Sequence, residues 1–137
     1  MEKHVLAQLR RHEGLRLMPY ECSAGEMTIG YGRNLDSNGI SQTEADLFLY
    51  NDYIKCLNET KSFVFYDRLN DARKGVIINM LFNLGLPRLN SFKKFLAAVS
   101  RCDYEHAGYE MLDSKWARQV GARAIELAEQ MKTGEWQ

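Results

Sequence analysis

A chain of 137 residues is long enough to bury one hydrophobic core without disulfide or metal staples, and it reads as one folding unit in which two subdomains can share a helix. Its 18 Lys and Arg balance its 18 Asp and Glu and are scattered along the whole length, so no basic arm or stripe points to nucleic acid or an anionic membrane. Cys22, Cys56 and Cys102 are odd in number, far apart and free of any CxxC pairing, which argues against a disulfide framework or a zinc site and makes reduced thiols the expectation. The opening MEKHVLAQLRRHEG lacks the apolar run of a signal peptide, and no stretch of about 18 apolar residues suggests a membrane span. The expected compartment is therefore the cytoplasm, with no stable membrane insertion.

Val5, Leu6 and Leu9 fall at helical spacing and the pattern stops at Gly14, which predicts a short first helix ending near Glu13. From Leu15 to Asp36 the texture changes to glycines at 25, 30 and 32, aromatics, and β-branched Thr28 and Ile29, with Asn38-Gly39 as a turn signal. A small antiparallel sheet follows from this pattern. Ser41 and Glu44 then form a capping box, and Ala45, Phe48, Leu49 and Cys56 mark one face of a helix of about four turns. Asp52 falls on that same face, where an ionised carboxylate needs a cation or several donors to meet it.

Asn70 or Asp71 leads a helix carrying Ala72, Val76, Ile77, Met80, Leu81 and Leu84 up to Gly85, apolar enough to be buried all round. Ser91 leads Phe92, Phe95, Leu96 and Val99; Asp103 leads Tyr104, Ala107 and Met111; a last amphipathic segment with Ala124, Ile125, Ala128 and Met131 ends at Gly134. A short helix, a small sheet and a mainly helical remainder make an α+β fold with a natural cleft between its parts. The expected division is a sheet-containing subdomain over about 14–55 and a helical one over 1–13 and 56–137.

Glu13, at a helix end opening onto the sheet, is placed where low-polarity surroundings can hold a carboxyl protonated, as a general acid for glycoside cleavage requires. Position alone is weak ground, because a Glu at a helix end is usually solvated or ion-paired. The surrounding segment HEGLRLMPYECSAGEMTIGYGR adds what position lacks: a Glu, eight residues, an Asp or Cys, five residues and a Thr, met here by Glu13, Cys22 and Thr28. In this spacing, and in GISQTEADLFLYNDY, NMLFNLG, DSKWARQVGARA and the terminal TGEW, the chain closely resembles the phage-type lysozymes (endolysins, glycoside hydrolase family 24) over nearly its whole length.

The resemblance implies a muramidase that hydrolyses the β-1,4 bond between N-acetylmuramic acid and N-acetylglucosamine in peptidoglycan, with no metal or organic cofactor. It assigns Glu13 as the acid, Cys22 as the group supporting attack on the sugar, and Thr28 as a holder of the attacking water. Cys22 acts only when ionised, a nearby cation being one way to favour the thiolate, and it can serve as base or as nucleophile. Read without the motif, Cys22 is a small buried hydrophobe and Thr28 a strand residue whose hydroxyl bonds a neighbouring carbonyl. The resemblance also implies a buried ion pair between Arg33 and Asp52, an Arg123 that faces the catalytic Glu, and sugar contacts from Asn34, Phe82, Phe95 and Glu110. Phe82 on an apolar helix is equally read as core packing.

Two other readings stay open. A lytic transglycosylase uses one Glu and leaves an anhydro end, making Cys22 and Thr28 superfluous; a silent wall-binding module keeps the fold and releases no reducing ends. Oxidation at Cys22 is a possible regulator, with Cys56 and Cys102 read as structural and resistant. The implied life history is accumulation in the host cytoplasm as a monomer, release through a separate holin, and action on the wall in the periplasm.

Overall fold

The computed structural model describes residues 1–137. Its contacts divide the chain into two compact units, Met1–Phe48 and Leu49–Gln137. The fold is α+β, mainly helical with one small antiparallel sheet.

In the first unit, α1 (Glu2–Glu13) ends as its sequence demands: Gly14 takes φ 69°, a conformation open to glycine, and its N–H donates to the Arg10 carbonyl. Strands β1 (Arg16–Glu21), β2 (Met27–Gly30) and β3 (Arg33–Asn34) pair antiparallel in the order β1-β2-β3, with Thr28 opposite both Tyr20 and Asn34. A short helix α2 (Leu35–Asn38) follows, capped by the Asn34 side chain, so Asn38-Gly39 closes a helix turn as well as a loop. The α1 helix belongs with the sheet, contrary to the expected grouping with the helical remainder. The reason is local packing: Arg10 lies over the Tyr31 ring and the Glu13 carboxylate abuts Gly32, both in the β2–β3 turn.

The capping box forms at the start of α3 (Gln42–Glu59), with the Glu44 N–H donating to Ser41 Oγ and the Ser41 N–H to Glu44 Oε1. The expected apolar face of this helix is only partly realised. Cys56 is buried, whereas Phe48 and Leu49 are exposed. Asp52 is exposed too, so water meets its charge and the partner demanded by a buried carboxylate is not required.

The second unit is organised around α4 (Asp71–Leu84), started by the Asn70 side chain accepting from the Arg73 N–H. Val76, Ile77 and Met80 are fully buried, but Phe82 and Asn83 face outward, so the helix is not buried all round. Against it packs α9 (Ala122–Thr133), against α9 packs α7 (Tyr104–Leu112), and against α7 packs α6 (Lys93–Ser100), contributing Phe95, Val99, Met111, Leu127 and Met131 to one core. Asp103 caps α7 as expected, by accepting from the His106 N–H. Ser91 does not cap α6; its hydroxyl donates back to the Arg88 carbonyl, ending an unforeseen helix α5 (Leu86–Asn90). A second unforeseen helix, α8 (Lys115–Val120), is capped by Ser114 and buries Trp116, whose indole N–H donates to Asn83 Oδ1 at 2.7 Å.

Candidate active site

Glu13 is the last residue of α1, and the turn at Gly14 presents its side chain to the β2–β3 hairpin. The carboxylate is exposed and has neither an ion-pair partner nor a hydrogen-bond donor, so the expected apolar surroundings are not what holds it. What abuts it is backbone. A Cβ built on Gly32 would fall 2.6 Å from Glu13 Oε2 and 3.0 Å from its Cδ, so the carboxylate rests on the one face of that turn without a side chain. Gly32 stands two residues before Asn34, the β3 partner of Thr28. Two residues along extended chain is roughly 6–7 Å, which puts the Glu13 carboxylate one short step from the centre of the sheet.

Cys22 follows the end of β1, in a tight turn where its own N–H donates to the Glu26 carbonyl and the Gly25 N–H donates to the Cys22 carbonyl. The thiol titrates below its ordinary value. Backbone N–H groups of Glu26 and then Ala24 are the main cause, with a smaller contribution from the Thr28 hydroxyl. Backbone dipoles, and not the expected cation, favour the thiolate. Thr28, on β2, is buried, and its hydroxyl donates to the Glu26 carbonyl at 3.0 Å. The structure thus brings Cys22 and Thr28 together in the loop and strand that share residue 26. Cys22 is partly accessible, Cys56 is buried, and Cys102 is exposed, so the reading of Cys102 as a shielded structural thiol is corrected.

Arg33 finds its carboxylate in Glu44 and not in Asp52. Its Nη1 lies 2.8 Å from Glu44 Oε1 and donates also to the Gly39 carbonyl. The capping box explains the choice, because it fixes Glu44 at the head of α3, whereas Asp52 lies eight residues, roughly 12 Å, farther along the helix. The guanidinium, together with two donors from Ser41, pushes the Glu44 carboxyl down to about 2.

In the second unit, Arg123 aims Nε and Nη2 at the single oxygen Asn79 Oδ1, at 2.9 and 2.7 Å. These two residues line a cavity of about 300 Å³ with Leu49, Tyr53, Ile78 and Phe82. Phe82 is 47% exposed there, so it is an accessible aromatic face and not core. Phe95 is the opposite case. At 1% exposure its ring belongs to the core, because α6 turns Phe95, Ala98 and Val99 inward on one stripe, although the residue also borders the cavity that Glu110 lines. Glu110 lines a separate cavity of about 390 Å³ with Lys93, Lys94 and Asp113, and pairs with His106 across one helical turn at 3.2 Å. Asn34 spends its side-chain oxygen on the Ser37 N–H, leaving its amide group free.

Sequence reasoning missed Asn79, Tyr53, Glu44 and Gly32. Asn79 carried a signal, a polar residue in an apolar helix three positions before Phe82; Gly32 carried none beyond its type.

In one unit the structure holds an exposed carboxyl, a partly accessible thiol whose titration is lowered by backbone N–H groups and a buried hydroxyl on the neighbouring strand. The chain belongs to the phage lysozyme family, whose model, "Phage lysozyme", matches residues 10–132. It is 31% identical over 118 residues to an endolysin of Acyrthosiphon pisum secondary endosymbiont phage 1, an alignment covering 82% of this chain and 77% of that one. A probable T4-type lysozyme 2 of Dictyostelium discoideum is 24% identical over 156 residues, covering 92% of each chain. The pre-baseplate central spike protein Gp5 of Enterobacteria phage T4 is 27% identical over 155 residues, which are 92% of this chain but 27% of that protein. The protein is accordingly a glycoside hydrolase, a lysozyme acting on peptidoglycan.

Proposed function

We propose that this lysozyme works as an endolysin, hydrolysing the β-1,4 bond between N-acetylmuramic acid and N-acetylglucosamine with Glu13 as the proton donor to the leaving oxygen. Cys22, as thiolate, supports attack on the anomeric carbon, and the Thr28 hydroxyl orients the water. The observation that carries this reading is that the Cys22 N–H and the Thr28 hydroxyl both donate to the Glu26 carbonyl, beside a turn whose backbone N–H groups favour the ionised thiol. As a base the thiolate directs water to the opposite face and inverts the anomeric centre; as a nucleophile it forms a covalent intermediate and retains it.

Phe82 and Tyr53, with Asn79 and Arg123 beside them, supply aromatic faces and donors suited to sugar rings, and Glu110 serves a second polar contact point. No helix is long and apolar enough to cross a membrane. The proposed sequence is therefore accumulation of a monomer in the host cytoplasm, passage through a separate holin-type opening, and cleavage of the wall from the periplasm.

The test is digestion of purified peptidoglycan by wild type, Glu13→Gln and Cys22→Ser, with soluble fragments weighed and their ends identified. Reducing N-acetylmuramic acid ends from wild type that vanish in Glu13→Gln support the proposal. Anhydro ends mean transglycosylation, and wall binding without fragments means a silent module. The anomeric configuration of the first product tells base from nucleophile.

A further inference from the structure

The Glu13 carboxylate needs to be held to within a fraction of an ångström for proton transfer, yet it has no ion pair or hydrogen bond to hold it. Two residues three apart on α1, Arg10 and Glu13, lie on one side of the helix, and each meets a successive residue of the β2–β3 turn: Arg10 over the Tyr31 ring at 6.0 Å, Glu13 on Gly32. The turn is bounded by Gly30 at φ 70° and Gly32 at φ 73°, both in the left-handed region. Their surroundings differ. A Cβ on Gly30 would meet nothing within 4 Å, whereas a Cβ on Gly32 would strike the Glu13 carboxylate.

We propose that Gly32 is a positioning residue for the acid: the bare Cα of the β2–β3 turn is the seat that fixes the Glu13 carboxylate, and the absence of a side chain there sets where the proton is delivered. This rests on Glu13 being the acid. Gly30 serves the turn alone, so the two glycines share a backbone requirement and only one touches the chemistry.

The pair supplies its own control. Alanine at either position imposes the strain of a positive φ on an L-residue. Alanine at position 32 also requires the carboxylate to retreat by roughly 0.8 Å, the difference between a 2.6 Å approach and an ordinary carbon–oxygen contact of about 3.4 Å. Misplacement by about 1 Å costs on the order of a hundredfold in rate.

The experiment compares wild type, Gly30→Ala and Gly32→Ala on soluble uncross-linked glycan strands, and measures thermal midpoints of the same three with Glu13 intact and with Glu13→Ala. The expected result is that Gly30→Ala keeps kcat within about threefold, while Gly32→Ala loses on the order of ten- to a hundredfold in kcat at little changed KM, with the Glu13-dependent limb of its pH profile displaced. Gly32→Ala should also lower the midpoint more than Gly30→Ala, and the excess should vanish with Glu13→Ala, because the colliding group is gone. Equal rate losses at 30 and 32, or an excess that persists without the Glu13 side chain, would overturn the proposal. If Gly32→Ala does not fold, recovery of folding in Gly32→Ala/Glu13→Ala supports the contact and continued failure refutes it. Should Glu13→Gln keep full activity, the assignment of the acid falls, and the stability comparison still reports the contact separately.

Discussion

Replacing Phe95 by Leu separates the two roles assigned to that position. The ring is 1% exposed within the α6 stripe, on a helix that packs against α7. The exchange removes a net three carbons, at about 0.8 kcal/mol each, and leaves a partly unfilled cavity, so the expected loss is about 2–4 kcal/mol of stability. With a urea slope of about 1.5–2 kcal/mol/M, the unfolding midpoint followed by circular dichroism should fall by about 1–2.7 M at unchanged slope. Peptidoglycan cleavage per folded molecule, measured well below the transition, should stay within about twofold, since 1% exposure leaves the ring almost no surface for a sugar to contact. Phe82→Ala should behave in reverse: its exposed ring contributes little to folding, and truncation should raise KM for glycan. An unshifted midpoint with lost activity in Phe95→Leu would refute the placement of that ring in the core.

Three further outcomes follow from the site. The Glu44 carboxyl is depressed to about 2 from an unfolded value near 4.5, so its contribution is complete above about pH 5 and is lost as the pH falls from there toward 2; Glu44→Gln should flatten wild-type acid destabilisation in that window, and added salt should do so in part. Cys22→Ser should abolish lysis, and Cys22→Asp should restore it while moving the rising limb of the pH profile from the lowered thiol range to the carboxylate range; equal activity of the Ser variant would remove the thiolate from the mechanism. Asn83→Ala leaves the buried Trp116 indole N–H without its acceptor, an expected cost of about 1–3 kcal/mol seen as a lower urea midpoint.

Chain segments governed by near neighbours were legible without a structure. Gly14 ends α1, Ser41 and Glu44 exchange hydrogen bonds at the head of α3, Asn70 and Asp103 cap their helices, and Gly134 stops α9, because each of these depends on residues within about one turn. The spacing of Glu13, Cys22 and Thr28 was legible for a different reason: it is read as a motif, and the β1–β2 hairpin then brings Cys22 and Thr28 onto one carbonyl, that of Glu26.

Which face a helix turns inward was decided only by tertiary packing. Phe82 and Phe95 sit at comparable apolar spacing on two helices, yet α4 presents one to solvent and α6 encloses the other. The same holds for charge. Arg33 needed a carboxylate, and both Glu44 and Asp52 stood on the next long helix; the capping box, by fixing Glu44 beside β3, made it the partner and left Asp52 to water. Sequence by itself determined the caps at Ser41, Asn70 and Asp103 and the α+β layout, since these follow from local backbone chemistry and hydrophobic patterning. The tertiary structure alone decided the Arg33–Glu44 pair, the opposite exposures of Phe82 and Phe95, and the approach of the Glu13 carboxylate to Gly32, because each depends on atoms brought close in space from distant positions in the chain.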